Sequence, residues 1–335
     1  MSPASTRVFH SFLGPDLHAY LKFKSAMGYT SFSKTTQARD LDHYLLFRGI
    51  QSIREVDESF LANWIHSIPS RCAATKNQNL KFARGLFKYL IRIELSQTNP
   101  ALRIPWLKQK PYKPYIYTLK EINQILEQAA QYKQRYPNRL LGWTLETMLF
   151  LIYACGLRIG EAVRLNIRDV DFEENTLSLW KTKFHKERLV PFSPAVAKRL
   201  KSYLDIRRRF YSLDGNPDSP FFCHERRYTK ETLEHHFRKI LIRSGLAKSV
   251  GRGNPRIHDL RHSFAVHRLY KWYQEGHDLL NKLPLLSTYM GHVDIESTQV
   301  YLHITQALLR EGDRRFQNLF GDVAQKALNN AFKKP

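Results

Sequence analysis

The sequence predicts a mainly α protein in two domains, with one small β-sheet confined to the second. Three observations carry this. Apolar residues recur at helical spacing through most of residues 8–95 and again from residue 118. Between them stand Pro100, Pro105, Pro111 and Pro114, a stretch that cannot continue a helix. Alternation of the strand type appears only around residues 175–192. At 335 residues the chain is long enough for two hydrophobic cores.

In the first domain, residues 1–105, four helices are expected, over 16–27, 34–47, 56–68 and 73–93. Gly28 to Ser31 separates the first two, and Pro69 stops the third. In the fourth, Leu80, Ala83, Phe87 and Leu90 share one face and should meet a core. Lys81, Arg84, Lys88 and Arg92 form a neighbouring stripe of the same helix. Such a stripe reads either as a solvated face or as a row of phosphate contacts. Residues 106–117 form a stiff basic linker, its prolines joined by Lys108, Lys110 and Lys113.

The second domain, 118–310, opens on Thr118 followed three residues later by Glu121, a capping-box pattern. The apolar run from Met148 ends at Gly156, the expected stop of a helix that includes Leu145. Residues 175–180 and 188–192 read as a hairpin with its loop over 181–187. Helical patterns return at Pro194. They include a helix starting at His258, one from near Pro284 to Gly291, and one capped by Asp294 that carries Tyr301. In the tail, 311–335, Phe316, Leu319, Phe320 and Val323 make an apolar stripe, and 323–332 suits a last short helix.

The formal net charge is +23. Residues 1–110 hold 16 Lys and Arg against 7 Asp and Glu, and the remainder 37 against 23, so both halves are basic. That attracts polyanions and speeds encounter with them. With 13% aromatic and 43% hydrophobic content, the charge belongs to folded material rather than to a disordered tail. Cys72, Cys155 and Cys223 are widely spaced and lack metal-ligand spacing, which predicts a reducing compartment and no structural zinc. Cys155 suits a small buried hydrophobe. The N-terminus lacks the apolar core of a signal peptide, and no stretch approaches the roughly 20 apolar residues of a bilayer span. The expected class is a soluble intracellular DNA-binding protein, its place the cytoplasm.

Four segments of the second domain hold the chemistry. Arg158 follows Gly156, and Glu161, three residues on, lies on the same side of the next helix and can orient the guanidinium. The hairpin loop holds Lys183, His185 and Lys186. His258 and Arg261 stand at i and i+3, so one helix start presents both toward one point, with Asp259 suited to the first-turn dipole. His292 follows Gly291, and Tyr301 comes nine residues later. Singly, each has a plain reading: a surface arginine at a turn, a polar helix start, one of 17 tyrosines. In this order and with these local sequences they resemble the active-site signature of the tyrosine recombinases, or phage-integrase family. The resemblance covers most of residues 118–310.

The resemblance implies a two-domain DNA clamp, and it favours the phosphate-contact reading of the Lys81, Arg84, Lys88 and Arg92 stripe. It implies a site-specific recombinase that cleaves and rejoins DNA through a 3′-phosphotyrosyl link, integrating, excising or resolving it. Tyr301 would be the nucleophile. Arg158 and Arg261 would clamp the phosphate with His292 as a further donor, and Lys183 would be the general acid, with Lys186 the alternative. The chemistry suits the residue types. Attack loads charge onto the equatorial oxygens, which planar, permanently charged guanidiniums match. A phenol of pKa near 10 needs a base or a strong positive field, and His258 is the expected acceptor. His185 and His262 read as contacts beside the catalytic positions. The scheme needs no metal and no nucleotide cofactor.

Two features depart from the commonest family form. Met290 replaces a leucine before Gly291 and His292, and residues 270–284 are longer than in phage and chromosome-dimer-resolving members. The longer segment is similar to an insertion in transposon-borne members and suggests a bacterial mobile-element role. The implied partners are double-stranded DNA, further copies of the chain forming a tetramer on DNA, and partner recombinases or accessory proteins, with no membrane. The tail either packs on its own domain or, as in the family, enters the neighbouring protomer of a ring. Two other readings stay open. One is a monomeric type IB topoisomerase-like nicking-closing enzyme. The other is a non-catalytic DNA-binding regulator on the same fold.

Overall fold

A computed structural model of the chain describes residues 9–28, 32–69, 72–109, 114–132, 140–180, 187–210, 216–222, 227–247, 254–292, 298–303 and 305, the side chains of 32–34 excepted. The chain divides into two compact units, Met1–Tyr112 and Lys113–Pro335.

The first unit contains α1 (Gly14–Ala26), α2 (Phe32–Phe47), α3 (Glu58–Ser67) and α4 (Ala73–Arg92). Its helix starts follow local chemistry. Pro15 stands in the first turn of α1, where it has no backbone bond to lose. The carboxylate of Asp57 accepts the Phe60 N–H at 2.7 Å and starts α3 at Glu58, later than expected. Val56 closes a separate 3-10 turn, Ile53–Glu55. Leu80, Ala83, Phe87 and Leu90 of α4 are all buried, with Leu17, Leu41, Leu61 and Trp64 in the same core. Buried Asp42 accepts from the backbone N–H groups of His10 and Ser11 and from the Ser11 hydroxyl, at 2.6–3.0 Å, holding the chain before α1 onto α2. The segment after α4 turns back along it. Asn77 donates to the Leu107 carbonyl at 2.8 Å and accepts the Leu107 N–H at 2.9 Å.

The second unit runs α5 (Leu119–Ala130), α6 (Leu141–Ala154), α7 (Ile159–Ala162), β1 (Val170–Asp171), β2 (Thr176–Leu179), β3 (Arg188–Pro191), α8 (Pro194–Phe210), α9 (Lys230–Arg243), α10 (His258–Gln274) and α11 (Leu279–Met290). Thr118 and Glu121 form the capping box that starts α5. Leu141, Leu145, Met148, Leu149, Leu151 and Ile152 are buried around most of α6, which packs against α5, α8 and α10 as the central helix. A second cluster gathers Phe264, Val266 and Leu269 of α10, Leu283, Leu286 and Met290 of α11, and Tyr301.

The sheet is antiparallel in the order β1-β2-β3, with Leu177 opposite both Val170 and Val190, and Leu179 opposite Arg188. Two-residue β1 is too short to show an alternation, so the sequence pattern misses it. The helix ending at Gly291 differs from expectation. It begins at Leu279 because Asp278 caps the Leu280 N–H at 2.9 Å, and Pro284 stands inside it, where its missing N–H removes one backbone bond. Lys183, His185, Lys186, Cys223, Asp294 and the tail lie outside the described residues. Residues 298–303, which include Tyr301, are helical. Among the described residues, no helix is long and apolar enough to cross a membrane.

Candidate active site

Two helix ends place the two arginines. Helix α6 is closed by Gly156 at φ +58°, and α11 by Gly291 at φ +66°, a region that glycine enters without a Cβ penalty. The last carbonyls of a helix have no partner within it and form the negative end of its dipole. Here they receive guanidiniums. Arg261, 1% exposed, donates to the Gly156 carbonyl at 2.5 Å and to the Met290 carbonyl at 2.6 Å. Arg158 donates to the Gly291 carbonyl at 2.5 Å. One loop past α6 and one past α11 are thereby joined through both arginines. Burial lowers the Arg261 pKa to about 9, the neighbouring Arg158 adding to the effect; it remains a cation at neutral pH.

Glu161 is the hub beneath them. Its carboxylate accepts from the Arg158 backbone N–H and guanidinium, both at 2.8 Å. It also accepts two parallel bonds from Arg188, at 2.8 and 2.9 Å. Burial by itself would raise its pKa, but the hydrogen bonds and charge of Arg188 prevail, and the group is held at about 2. Arg188, at the first position of β3, also donates to the Tyr289 carbonyl at 3.1 Å. The sequence reading assigned Arg188 only to a strand. Its partner lies 27 residues away, and a strand position carries no local signal of that pairing.

Tyr301 is 3% exposed, and its hydroxyl lies 2.8 Å from His262 Nδ1. The ring of His292 lies alongside, its centroid 6.1 Å away. His292 is set by two contacts: its N–H donates to the Ser287 carbonyl at 3.0 Å, closing the turn at Gly291, and its Nδ1 meets the Thr298 hydroxyl at 2.7 Å. Burial raises the Tyr301 pKa, while the charges of Arg261 and Arg158 oppose the rise. His258 meets the His262 ring edge-on, with centroids 4.8 Å apart. Burial pushes both imidazoles down to about 4, helped by nearby arginines. The contact at the tyrosine hydroxyl is made by His262, which in the sequence reads as a contact beside the catalytic positions. The i, i+3 spacing of His258 and Arg261 does not report which ring of α10 meets the Tyr301 hydroxyl, because the register of Tyr301 against that helix is a tertiary property.

The structure therefore gathers Arg158, Glu161, His258, Arg261, His292 and Tyr301 in the second unit, and adds Arg188 and His262. In the first unit Lys81, Lys88 and Arg92 are exposed on α4, as is Lys108 beyond it. Arg84 is different. It donates to the carbonyls of Ala101 at 3.0 Å and Ile104 at 2.7 Å, and Trp106 covers its guanidinium at 4.2 Å. Those bonds hold residues 101–104 to α4, a structural role that stands beside the expected phosphate contact at that position. Lys110 and Lys113 lie outside the described residues.

Residues 116–307 match the Phage integrase family. Over 231 residues the chain is 33% identical to y4rB of Sinorhizobium fredii, a protein named as an integrase/recombinase, covering 68% of this chain and 73% of the other. It is 30% identical over 243 residues to the tyrosine recombinase XerD of Oceanobacillus iheyensis, covering 72% and 75%. In fold it is similar to the Tn1549 transposon integrase in complex with a circular intermediate DNA, with a TM-score of 0.64 at 16% identity, covering 85% and 94%. The chain belongs to the phage integrase family, the tyrosine recombinases.

Proposed function

We propose that this site-specific DNA recombinase breaks and rejoins DNA through a covalent link between Tyr301 and a 3′ phosphate. One observation carries the reading. The helix ends that fix Arg158 and Arg261 lie beside His292 and Tyr301, which supports reading the tyrosine as nucleophile and the arginines as its phosphate clamp. The guanidiniums and His292 receive the charge that develops on the equatorial oxygens. Such preorganised donors are worth about 3–4 kcal/mol each in transition states of this kind. Glu161, bonded by Arg188, holds Arg158 in place. The phenol proton leaves to an imidazole of α10. Lys183, on the loop between β2 and β3, protonates the 5′ oxygen, and Lys186 is the alternative acid. A free 5′ hydroxyl then reverses the step; one from a second duplex gives strand exchange, while the original one restores the strand.

Lys81, Lys88, Arg92, Lys108, Lys110 and Lys113 supply phosphate contacts outside the catalytic centre. Four copies on paired duplexes would carry out the exchange, in the cytoplasm of a bacterium and in the service of a mobile element. The transposon-borne structural relative and the integrase/recombinase relative support that last point. The test is recombination between two duplexes bearing the native flanking DNA. Recombinant products from protein assembled as a multimer are expected. Relaxation of supercoils by a monomer, without exchange, would replace this reading with a nicking-closing enzyme.

A further inference from the structure

We propose that His262 is a catalytic residue: its Nδ1 takes the proton of Tyr301 as the phenolic oxygen attacks the scissile phosphate. The inference rests on the reading of Tyr301 as nucleophile and names the partner that reading leaves open. The geometry is the 2.8 Å contact between Nδ1 and the phenolic oxygen. The charges acting on that oxygen are the guanidiniums of Arg261 and Arg158, which carry no lone pair to accept a hydrogen bond, and the carboxylate of Asp259, which acts on it by charge. The atom in hydrogen-bond contact with the phenolic oxygen is His262 Nδ1, and with the ring hydrogen on Nε2 that nitrogen accepts from the hydroxyl. Buried Thr305 donates to the Tyr301 carbonyl at 2.8 Å, which holds the helical turn that carries the nucleophile.

His258 is the alternative acceptor, and the ring it packs against is the one that contacts the phenol. The two rings are perpendicular, with centroids 4.8 Å apart. His258 therefore acts through His262, as a positioning residue. The titratable and charged groups around His262 are His258, Asp259 and Arg261 on α10, Arg256 before it, Arg158 at the start of α7, and His292 and Tyr301 beyond α11. Burial and the arginines keep the free imidazole neutral, which is the state that can accept a proton. The scissile phosphate adds a negative charge to this cluster and favours the imidazolium at the moment of attack. The step balances. The Tyr301 O–P bond forms, the bond from phosphorus to the 5′ oxygen breaks, the phenol proton goes to Nδ1, and the 5′ oxygen is protonated by the loop lysine. Rejoining runs the same transfers backward.

The experiment isolates the nucleophile side by using duplexes with sulfur in place of the bridging 5′ oxygen, because a thiolate departs without a proton. Covalent adduct formation is followed from neutral pH upward for the parent protein, His262→Asn and His258→Asn. Asparagine can accept the tyrosine hydrogen bond but cannot take the proton. The expected result is a loss of about 100-fold or more for His262→Asn at neutral pH, shrinking as rising pH ionises the phenol directly, with a smaller loss for His258→Asn. Unchanged affinity for the uncleaved duplex shows that the variants are folded; if His262→Asn does not bind, His262→Gln takes its place. A rate for His262→Asn within twofold of the parent, or a loss constant across pH, would overturn the proposal. An adduct formed by Tyr301→Phe would overturn the nucleophile reading itself, an outcome separate from any His262 result.

Discussion

Glu161 shows how much one buried carboxylate can organise. It is 4% exposed and sits among three arginines; removing its charge leaves them facing one another. Glu161→Gln is expected to cost about 3 kcal/mol of stability, the scale for breaking a buried pair, read by denaturant unfolding. The pH dependence has a definite sign. A carboxyl held at about 2 in the fold, against an ordinary 4.5, contributes its full stability above pH 4.5 and loses it as pH falls toward 2. That stretch of the pH profile should flatten in the variant. His236, His258 and His262, held near 4, act at higher pH. The unfolded chain binds their protons first, so stability falls as pH drops from 6.5 to 4 in parent and variant alike. Arg158 and Glu161 were legible because they stand three residues apart. Arg188 and His262 were not, because their partners lie 27 and 39 residues away, and sequence spacing reports only neighbours on the same element.

The elements matter through their ends. Helices α6 and α11 stop at glycines that the sequence marks plainly; what it does not mark is that the carbonyls there hold Arg261 and Arg158. A Cβ at Gly156 would lie 2.5 Å from the Phe264 ring, in addition to the strain of φ +58°. Gly245 has φ +71° and open space around it, so alanine there carries the backbone strain alone. Gly156→Ala should cost about 2 kcal/mol more than Gly245→Ala, from overpacking, and slow adduct formation by moving the Arg261 anchor. Equal thermal shifts and equal rates for the two variants would contradict this account. Arg188 joins the base of the hairpin to Glu161 and to Tyr289, tying β3 to the arginine cluster at one end of the loop that carries Lys183. Pro284 marks the limit of local reading: a proline predicts a helix start, but an aspartate six residues earlier supplies a better one.

Across the whole molecule, the net charge of +23 sets the encounter with DNA and its salt dependence. The structure separates cations that face water from those bound within the fold. Replacing Lys81, Lys88 and Arg92 together by alanine should reduce the salt slope of DNA affinity by about 0.9 per lost phosphate contact. Arg84→Ala should leave the slope unchanged and instead lower the thermal stability of the first unit, since three carbonyls lose their donor. An unchanged slope in the triple variant would assign the α4 stripe to solvent. Composition made the DNA partner legible, and helical periodicity made the two-unit, mainly α architecture legible; neither reports which arginine holds the chain to itself.

The proposed chemistry turns on a covalent bond between Tyr301 and DNA. The most direct measurement is capture of that bond: parent protein and Tyr301→Phe are incubated with nicked duplexes covering the native flanking DNA, stopped with detergent and analysed for protein–DNA adducts. A detergent-stable adduct is expected with the parent, mapped by peptide analysis to Tyr301, and none with Tyr301→Phe. An equal adduct with the phenylalanine variant, or an attachment mapped to another residue, would contradict it.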